Sequence, residues 1–236
     1  MIAAGAPAFA AHLEAIEALA PALEAIGGDS PPAPRWNQDW FPRLDAAAAY
    51  TKVRRHRPAR IVEVGSGHST RFIARAVADG ALRTRITAID PRPRASLDGL
   101  PIELLRTPVQ EAGRAPFTNL CAGDFLFVDS SHRHHPGSDV AFLFEQVLPA
   151  LPGGVFVHFH DIFLPGGYPE SWAWRRYNEQ DSVVELIAGG GYALEFSSAW
   201  TVACGPEWLT KGILARLPLV PGAYESSLWL RKIRYL

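Results

Sequence analysis

Four short, almost unbroken apolar runs punctuate the middle of the chain, at residues 61–64, 86–89, 125–128 and 155–159. Each is bounded by charged or turn residues. Stretches whose apolar positions recur at helical spacing lie between and after them, at 70–81, 139–150 and 172–188. Near-continuous apolar strands alternating with helices belong to a parallel sheet covered on both faces. The pattern therefore predicts a doubly wound α/β domain. Further on, residues 192–198 and 227–233 read as strands with no crossover helix between them, which suits an antiparallel pair at one sheet edge.

Upstream, residues 8–26 form an alanine-rich helical pattern carrying Leu13, Ile16, Leu19, Leu23 and Ile26, with glutamates between them. Gly27, Gly28, Pro31, Pro32 and Pro34 then make a linker. An aromatic segment at 36–41 precedes a second helical pattern at 44–55. This divides the chain into an N-terminal helical extension with its linker (1–34) and one α/β domain (35–236). The first helix is expected to cap the domain or to meet a second copy, and the Trp-containing tail is another plausible contact surface for a homo-oligomer. No internal repeat is visible.

Composition narrows the classes. Among 236 residues, 23 are Lys or Arg and 24 are Asp or Glu, a net charge of −1 that offers no global attraction to nucleic acid or to an anionic membrane. Apolar residues at 48% and charged ones at 20% exclude wholesale disorder. Two cysteines, Cys121 and Cys204, build no disulfide framework and point to a reducing compartment. The apolar stretch at 8–26 is broken by His12, Glu14, Glu17, Pro21 and Glu24 and lacks a basic start. It is read as neither a signal peptide nor a membrane helix, and a cytoplasmic location is expected. Eight histidines are less ordinary, since five fall between His132 and His160.

The strongest motif is Glu63-Val64-Gly65-Ser66-Gly67-His68-Ser69-Thr70, closing the first strand and opening a helix. The glycines permit a tight turn and close approach of a ligand, and the helix start offers free N–H groups. The second strand ends in Asp90, 23 residues after Gly67, where a carboxylate can accept bonds from both ribose hydroxyls. A dinucleotide site wants a third glycine near position 70, where a pyrophosphate passes. Ser69 and Thr70 fill that region here, as a methionine-nucleoside ligand tolerates.

Asp129 and Asp161 end the third and fourth apolar runs, and ligands of open parallel sheets bind beyond such carboxyl ends. His132 and His160 accompany them. Carboxylate and imidazole together suit Mg²⁺, Mn²⁺ or a later transition metal, which would lower the pKa of a bound hydroxyl while His132 removes its proton. His158 alternates with His160 and reads as a hydrogen-bonded core residue, and His134 and His135 as surface loop residues. The Gly-, Pro- and aromatic-rich stretch at 163–174 suits a lid or substrate wall, or else Trp172 and Trp174 simply cover the sheet. Trp36, Trp40 and Phe41 are placed to close the same crevice from the N-terminal side. Arg92 and Arg94 read as solvated.

These motifs resemble the class I S-adenosylmethionine (SAM)-dependent methyltransferases over about residues 35–200. The resemblance implies a Rossmann-like seven-stranded sheet with a reversed final hairpin and a SAM site built from Glu63, Gly65, Ser66, Gly67 and Asp90. The strand ends are also similar to metal-dependent sugar O-methyltransferases of antibiotic biosynthesis, in which an acid-x-x-His pattern follows the fourth strand and two acids follow the fifth. Asp129 and His132 match the first pattern and Asp161 the second acid. His160 stands where the first acid would be, so either an Asp129, His160 and Asp161 ligand set favours Mn²⁺, Fe²⁺ or Zn²⁺ over Mg²⁺, or the site holds no metal. The His-Asp-Ile-Phe-Leu-Pro segment also looks like bacterial methyltransferases associated with sugar or secondary-metabolite modification. The expected function is O-methylation of a small hydroxylated acceptor, with Asp129 and His132 catalytic. The alternative is a non-catalytic SAM- or nucleoside-binding regulatory partner.

Overall fold

The computed structural model describes residues 1–28 and 30–233. Its strands are β1 (Arg60–Val64), β2 (Arg85–Ile89), β3 (Glu103–Leu105), β4 (Phe125–Val128), β5 (Phe156–Phe159), β6 (Tyr192–Ser197) and β7 (Leu228–Lys232). Among the described residues these make one seven-stranded sheet in the order β3-β2-β1-β4-β5-β7-β6. The first five are parallel, and β7 runs antiparallel to both β5 and β6. All four residues of β4 and of β5 are buried, which is why their sequences show no alternation. The short β3, only three residues with no fully buried position, carries too little apolar signal to be read from sequence.

Nine α-helical segments lie among the described residues: α1 (Ala6–Ala18), α2 (Ala20–Glu24), α3 (Arg43–His56), α4 (His68–Asp79), α5 (Val109–Ala112), α6 (Asp139–Phe142), α7 (Glu179–Ala188), α8 (Ser198–Cys204) and α9 (Gly212–Arg216). The expected helix at 8–26 is divided at Leu19; Pro21, two residues on, has no N–H with which to continue the ladder. The expected helix at 139–150 is α6 followed by a π turn and a 3-10 turn. That at 172–188 is a 3-10 turn (Glu170–Arg175), a break with Arg176 in the left-handed region (φ 56°), and then α7. The break has a cause: the backbone N–H groups of Asn178 and Glu179 donate to the carbonyl of His132, at 3.1 and 3.3 Å, so the chain is drawn to the site before helix resumes.

Phe9, Leu13, Ile16 and Leu23 are buried in the same apolar cluster as the sheet. Phe9 meets Phe196 and Trp200 edge-on, at 6.2 and 5.3 Å. The N-terminal helix thus caps this chain's own sheet. No helix among the described residues is long and apolar enough to cross a membrane.

Register positions the site. Val64 pairs with Val128 and Val128 with Phe159, so β1, β4 and β5 end level. One step further, Asp129 N–H donates to Val64 O and His160 N–H to Val128 O, both at 2.9 Å. Gly65, Asp129 and His160 therefore emerge side by side.

Candidate active site

Two cavities open over these strand ends. The larger, about 560 Å³, is lined by Gly65, Ser66, Asp90, Ile89, Val109 and Asp129 among others. Gly65 adopts φ +82°, and a Cβ there would overlap the carbonyl oxygen of Asp129, so the first glycine is required by both conformation and space. One Asp90 oxygen accepts the backbone N–H and hydroxyl of Ser66 at 2.8 and 2.9 Å; the other accepts the Arg92 N–H at 2.7 Å and has a lone pair to spare. Gly65, Ser66 and Asp90 are thus brought together at this cavity.

Glu63 and Gly67 do not line this cavity. The Glu63 carboxyl is fully buried and accepts the hydroxyls of Ser69 and Thr70, at 2.6 and 2.7 Å. Burial pushes it up to about 8, despite those two bonds. Thr70 in turn accepts the Gly67 N–H at 3.0 Å. Both residues shape the turn into α4 rather than the cavity wall. Arg92, Arg94 and His135, read as solvated or as loop residues, all line the cavity.

Asp129, Asp161, His132 and His160 form one charged cluster. His132 Nε2 lies 3.2 Å from Asp129 Oδ1 and 3.4 Å from Asp161 Oδ2, while its Nδ1 is 2.8 Å from Glu179 Oε2. His160 Nδ1 lies 3.6 and 3.5 Å from Asp129 and Asp161, and its Nε2 is 3.1 Å from Asp45 Oδ2. Burial works against both imidazolium ions, but Asp161, Asp129 and the further carboxylates outweigh it and raise both histidines well above their ordinary value. Burial likewise opposes ionisation of Asp129, yet the imidazoles of His160 and His132 hold it well below the usual carboxylate range. His132 and Asp161 both occupy the left-handed region (φ 57° and 56°), which non-glycine residues seldom visit and which surrounding contacts must sustain.

His132 is 3% exposed and lines neither cavity, so it stands behind the two aspartates rather than before an acceptor. The expected ligand set meets as an ion-pair network. Among the described residues, no group of three His, Cys, Asp or Glu is arranged to hold a metal ion. His158 behaves as expected: it is buried, bonded to Ser227 Oγ at 2.9 Å and stacked on Phe127.

The second cavity, about 180 Å³, is lined by Trp40, Trp172 and Tyr224, by Arg94 and Arg175, and by Asp39, Asp129, His160 and Asp161. Trp40 and Trp172 thus serve the crevice. Phe41 packs behind it against His160, Trp36 is buried on Phe72, and Trp174 is exposed. Asp129 and Arg94 line both cavities.

Two site residues carry no recognisable signal in the sequence. Asp45 lies within a helical run of alanines, yet its buried carboxylate accepts the N–H groups of Ser226 and Ser227 as well as facing His160. Glu179 begins α7 and looks like any first-turn acid. Both come into place only through long-range packing.

Residues 62–162 match the family described as a methyltransferase domain. Among solved structures, the SAH-bound methyltransferase PaMTH1 of Podospora anserina is similar, at 17% identity over 94% of this chain and 88% of that one, with a TM-score of 0.50. An O-methyltransferase from Bacillus cereus in complex with SAH matches at 15% identity over 95% and 91%, TM-score 0.49. The O-methyltransferase TomG of Streptomyces achromogenes, involved in tomaymycin synthesis, matches at 16% over 94% and 90%, TM-score 0.48. No curated protein sequence matches. The matched segment runs from β1 through Asp161 and holds the glycine turn, Asp90 and the charged strand ends, so the part of the chain that builds the site is the part similar to a methyltransferase domain.

Proposed function

We propose that the chain O-methylates a small hydroxylated acceptor, with the cofactor in the larger cavity and the acceptor in the smaller. The observation that carries this reading is Asp129, which lines both cavities and so marks where a methyl group and an acceptor oxygen meet. The residues fit SAM: the cavity lies within the range of cofactor sites, Asp90 keeps acceptor capacity for a ribose hydroxyl, and Ile89 and Val109 supply apolar surface for a base. When bound, SAM supplies an electrophilic methyl whose departing sulfur takes the bonding electron pair.

His160, not His132, is the general base in this reading, because it lines the acceptor cavity. Asp45 holds Nε2–H and leaves Nδ1, in the neutral ring, to accept the hydroxyl proton as the O–CH₃ bond forms. His132 and Glu179 fix the two aspartates around it. Among the described residues no group of three His, Cys, Asp or Glu is arranged to hold a metal ion, and no step is assigned to one.

The test is methyl transfer across pH with a hydroxylated acceptor library. The working form of His160 is neutral and its pKa is raised, so the rate climbs from neutral to alkaline pH. Asp45→Asn moves that climb to lower pH. His160→Gln lowers kcat about 100-fold or more with SAM affinity kept, and EDTA leaves activity unchanged. Activity abolished by EDTA and restored by Mn²⁺, or a His160→Gln enzyme of full activity, overturns the assignment.

A further inference from the structure

We propose that the acceptor carries an anionic group, a carboxylate or phosphate, beside the hydroxyl that is methylated, and that Arg175 and Arg94 bind it. This rests on the smaller cavity being the acceptor site. The half-buried Arg175 and the exposed Arg94 both differ from the paired arginines elsewhere in the chain. Arg43 is paired with Glu225, Arg231 with Glu195, and Arg71 is satisfied by the Ser96 carbonyl. Among the described residues, no ion pair to a carboxylate is formed by Arg175 or Arg94.

Each instead has its guanidinium carbon close over an aromatic ring. Arg175 lies 4.3 Å over Trp172 and 5.5 Å from Tyr177, and Arg94 lies 4.5 Å over Trp40. Arg175 donates through Nη1 to the Tyr177 hydroxyl at 3.0 Å, while its buried Nε has no partner. A guanidinium has five donors in a fixed plane, a fork that matches carboxylate or phosphate oxygens. These ring contacts, and for Arg175 the bond to Tyr177, restrain the side chains before any ligand arrives, which lowers the ordering cost of binding.

Asp39, Asp129 and Asp161 share this wall with the two guanidiniums, and His160 lies 3.6 and 3.5 Å from the latter two aspartates. Arg94 also borders the larger cavity, where the cofactor's own carboxylate competes for it. Arg175 borders the smaller cavity alone and so separates the two uses.

The experiment titrates SAH-saturated protein with glucose, glucuronate, glucose 6-phosphate and inorganic phosphate, read by calorimetry and tryptophan fluorescence. Wild type, Arg175→Gln and Arg94→Gln are compared. The expected result is binding of glucuronate or glucose 6-phosphate about tenfold or more tighter than glucose, a preference that Arg175→Gln removes while SAH affinity is unchanged. The two anionic sugars tell carboxylate from phosphate. Equal binding of neutral and anionic sugars, a preference that survives Arg175→Gln, or no Arg175-dependent binding of any anion overturns the proposal. Methyl transfer in the same samples reads the catalytic reading separately. An acceptor methylated without charge preference sinks the anion site alone, whereas Arg175-dependent anion binding with no transfer to any hydroxyl sinks the catalytic reading alone.

Discussion

Gly65 occupies the tightest point of the site, between the ends of β2 and β4, with its N–H on Ile89 O and no room for a Cβ beside Asp129 O. Alanine there must leave φ +82° or push the Asp129 carbonyl away. The left-handed conformation alone costs about 1–2 kcal/mol, and displacing Asp129 disturbs the one carboxylate shared by both cavities. Gly65→Ala is expected to lower SAM affinity at least about tenfold and to cost about 2 kcal/mol or more of stability, measured by calorimetry and denaturant titration; wild-type values in both would refute the close-approach argument. Gly67, with open space at its Cβ position, is the internal control, and its alanine variant keeps the fold. The sequence motif showed two glycines of apparently equal weight. Only the approach of β4, some sixty residues further on, separates them, and local spacing carries no trace of that. Asp90 was legible because strand length and loop length alone bring a second-strand acid to the first turn. Asp45 was not, because its partners His160, Ser226 and Ser227 are more than a hundred residues away.

At the scale of elements, the junction of β1 and α4 is held by Glu63, whose carboxyl sits under the helix start and accepts Ser69 and Thr70. Its value near 8 has a consequence for stability. Between about pH 4.5 and 8 the folded chain keeps a proton that the unfolded chain has lost, so unfolding releases a proton and stability falls as pH rises through that window. Below it the contribution is complete; above it, gone. Glu63→Gln has no proton to lose, so its stability from pH 5 to 8 is expected to fall less than that of wild type, by up to a few kcal/mol. Parallel curves for the two proteins would show that Glu63 is ionised when folded. The fully buried strands were readable because burial writes apolar runs into sequence, while a buried carboxyl near the end of such a run, as at Glu63, looks the same in sequence as a ligand-facing one. The expected helix at 172–188 failed differently. Its apolar spacing is genuine, but two backbone bonds to the His132 carbonyl outweigh the helical bonds that 176–178 would have made.

For the whole molecule, the question is whether residues 1–26 are an appendage or part of one folding unit. A linker rich in glycine and proline suggests separability. The packing opposes it: Phe9 is fully buried against Phe196 of β6 and Trp200 of α8, and Glu17 on α1 accepts the Ile213 N–H at 2.7 Å from the opposite end of the chain. Without α1, the outer strand β6 would expose those aromatics to water, where apolar burial no longer offsets the chain entropy of the C-terminal hairpin. That hairpin matters to the site, because β7 pairs with β5 and leads from Ser226 and Ser227, the groups that hold Asp45 beside His160. Phe9→Ala is therefore expected to cost about 3–5 kcal/mol, to keep a single cooperative denaturant transition, and to weaken methyl transfer at temperatures where wild type is fully active. Circular dichroism and tryptophan fluorescence, which sees Trp200 and Trp229 near the hairpin and Trp172 near the cavity, provide two probes of the same unfolding. Coincident curves with a lowered midpoint support one unit. A separate early transition confined to one probe, with activity intact after it, would mean that the N-terminal helix rides on a domain able to hold its site without it.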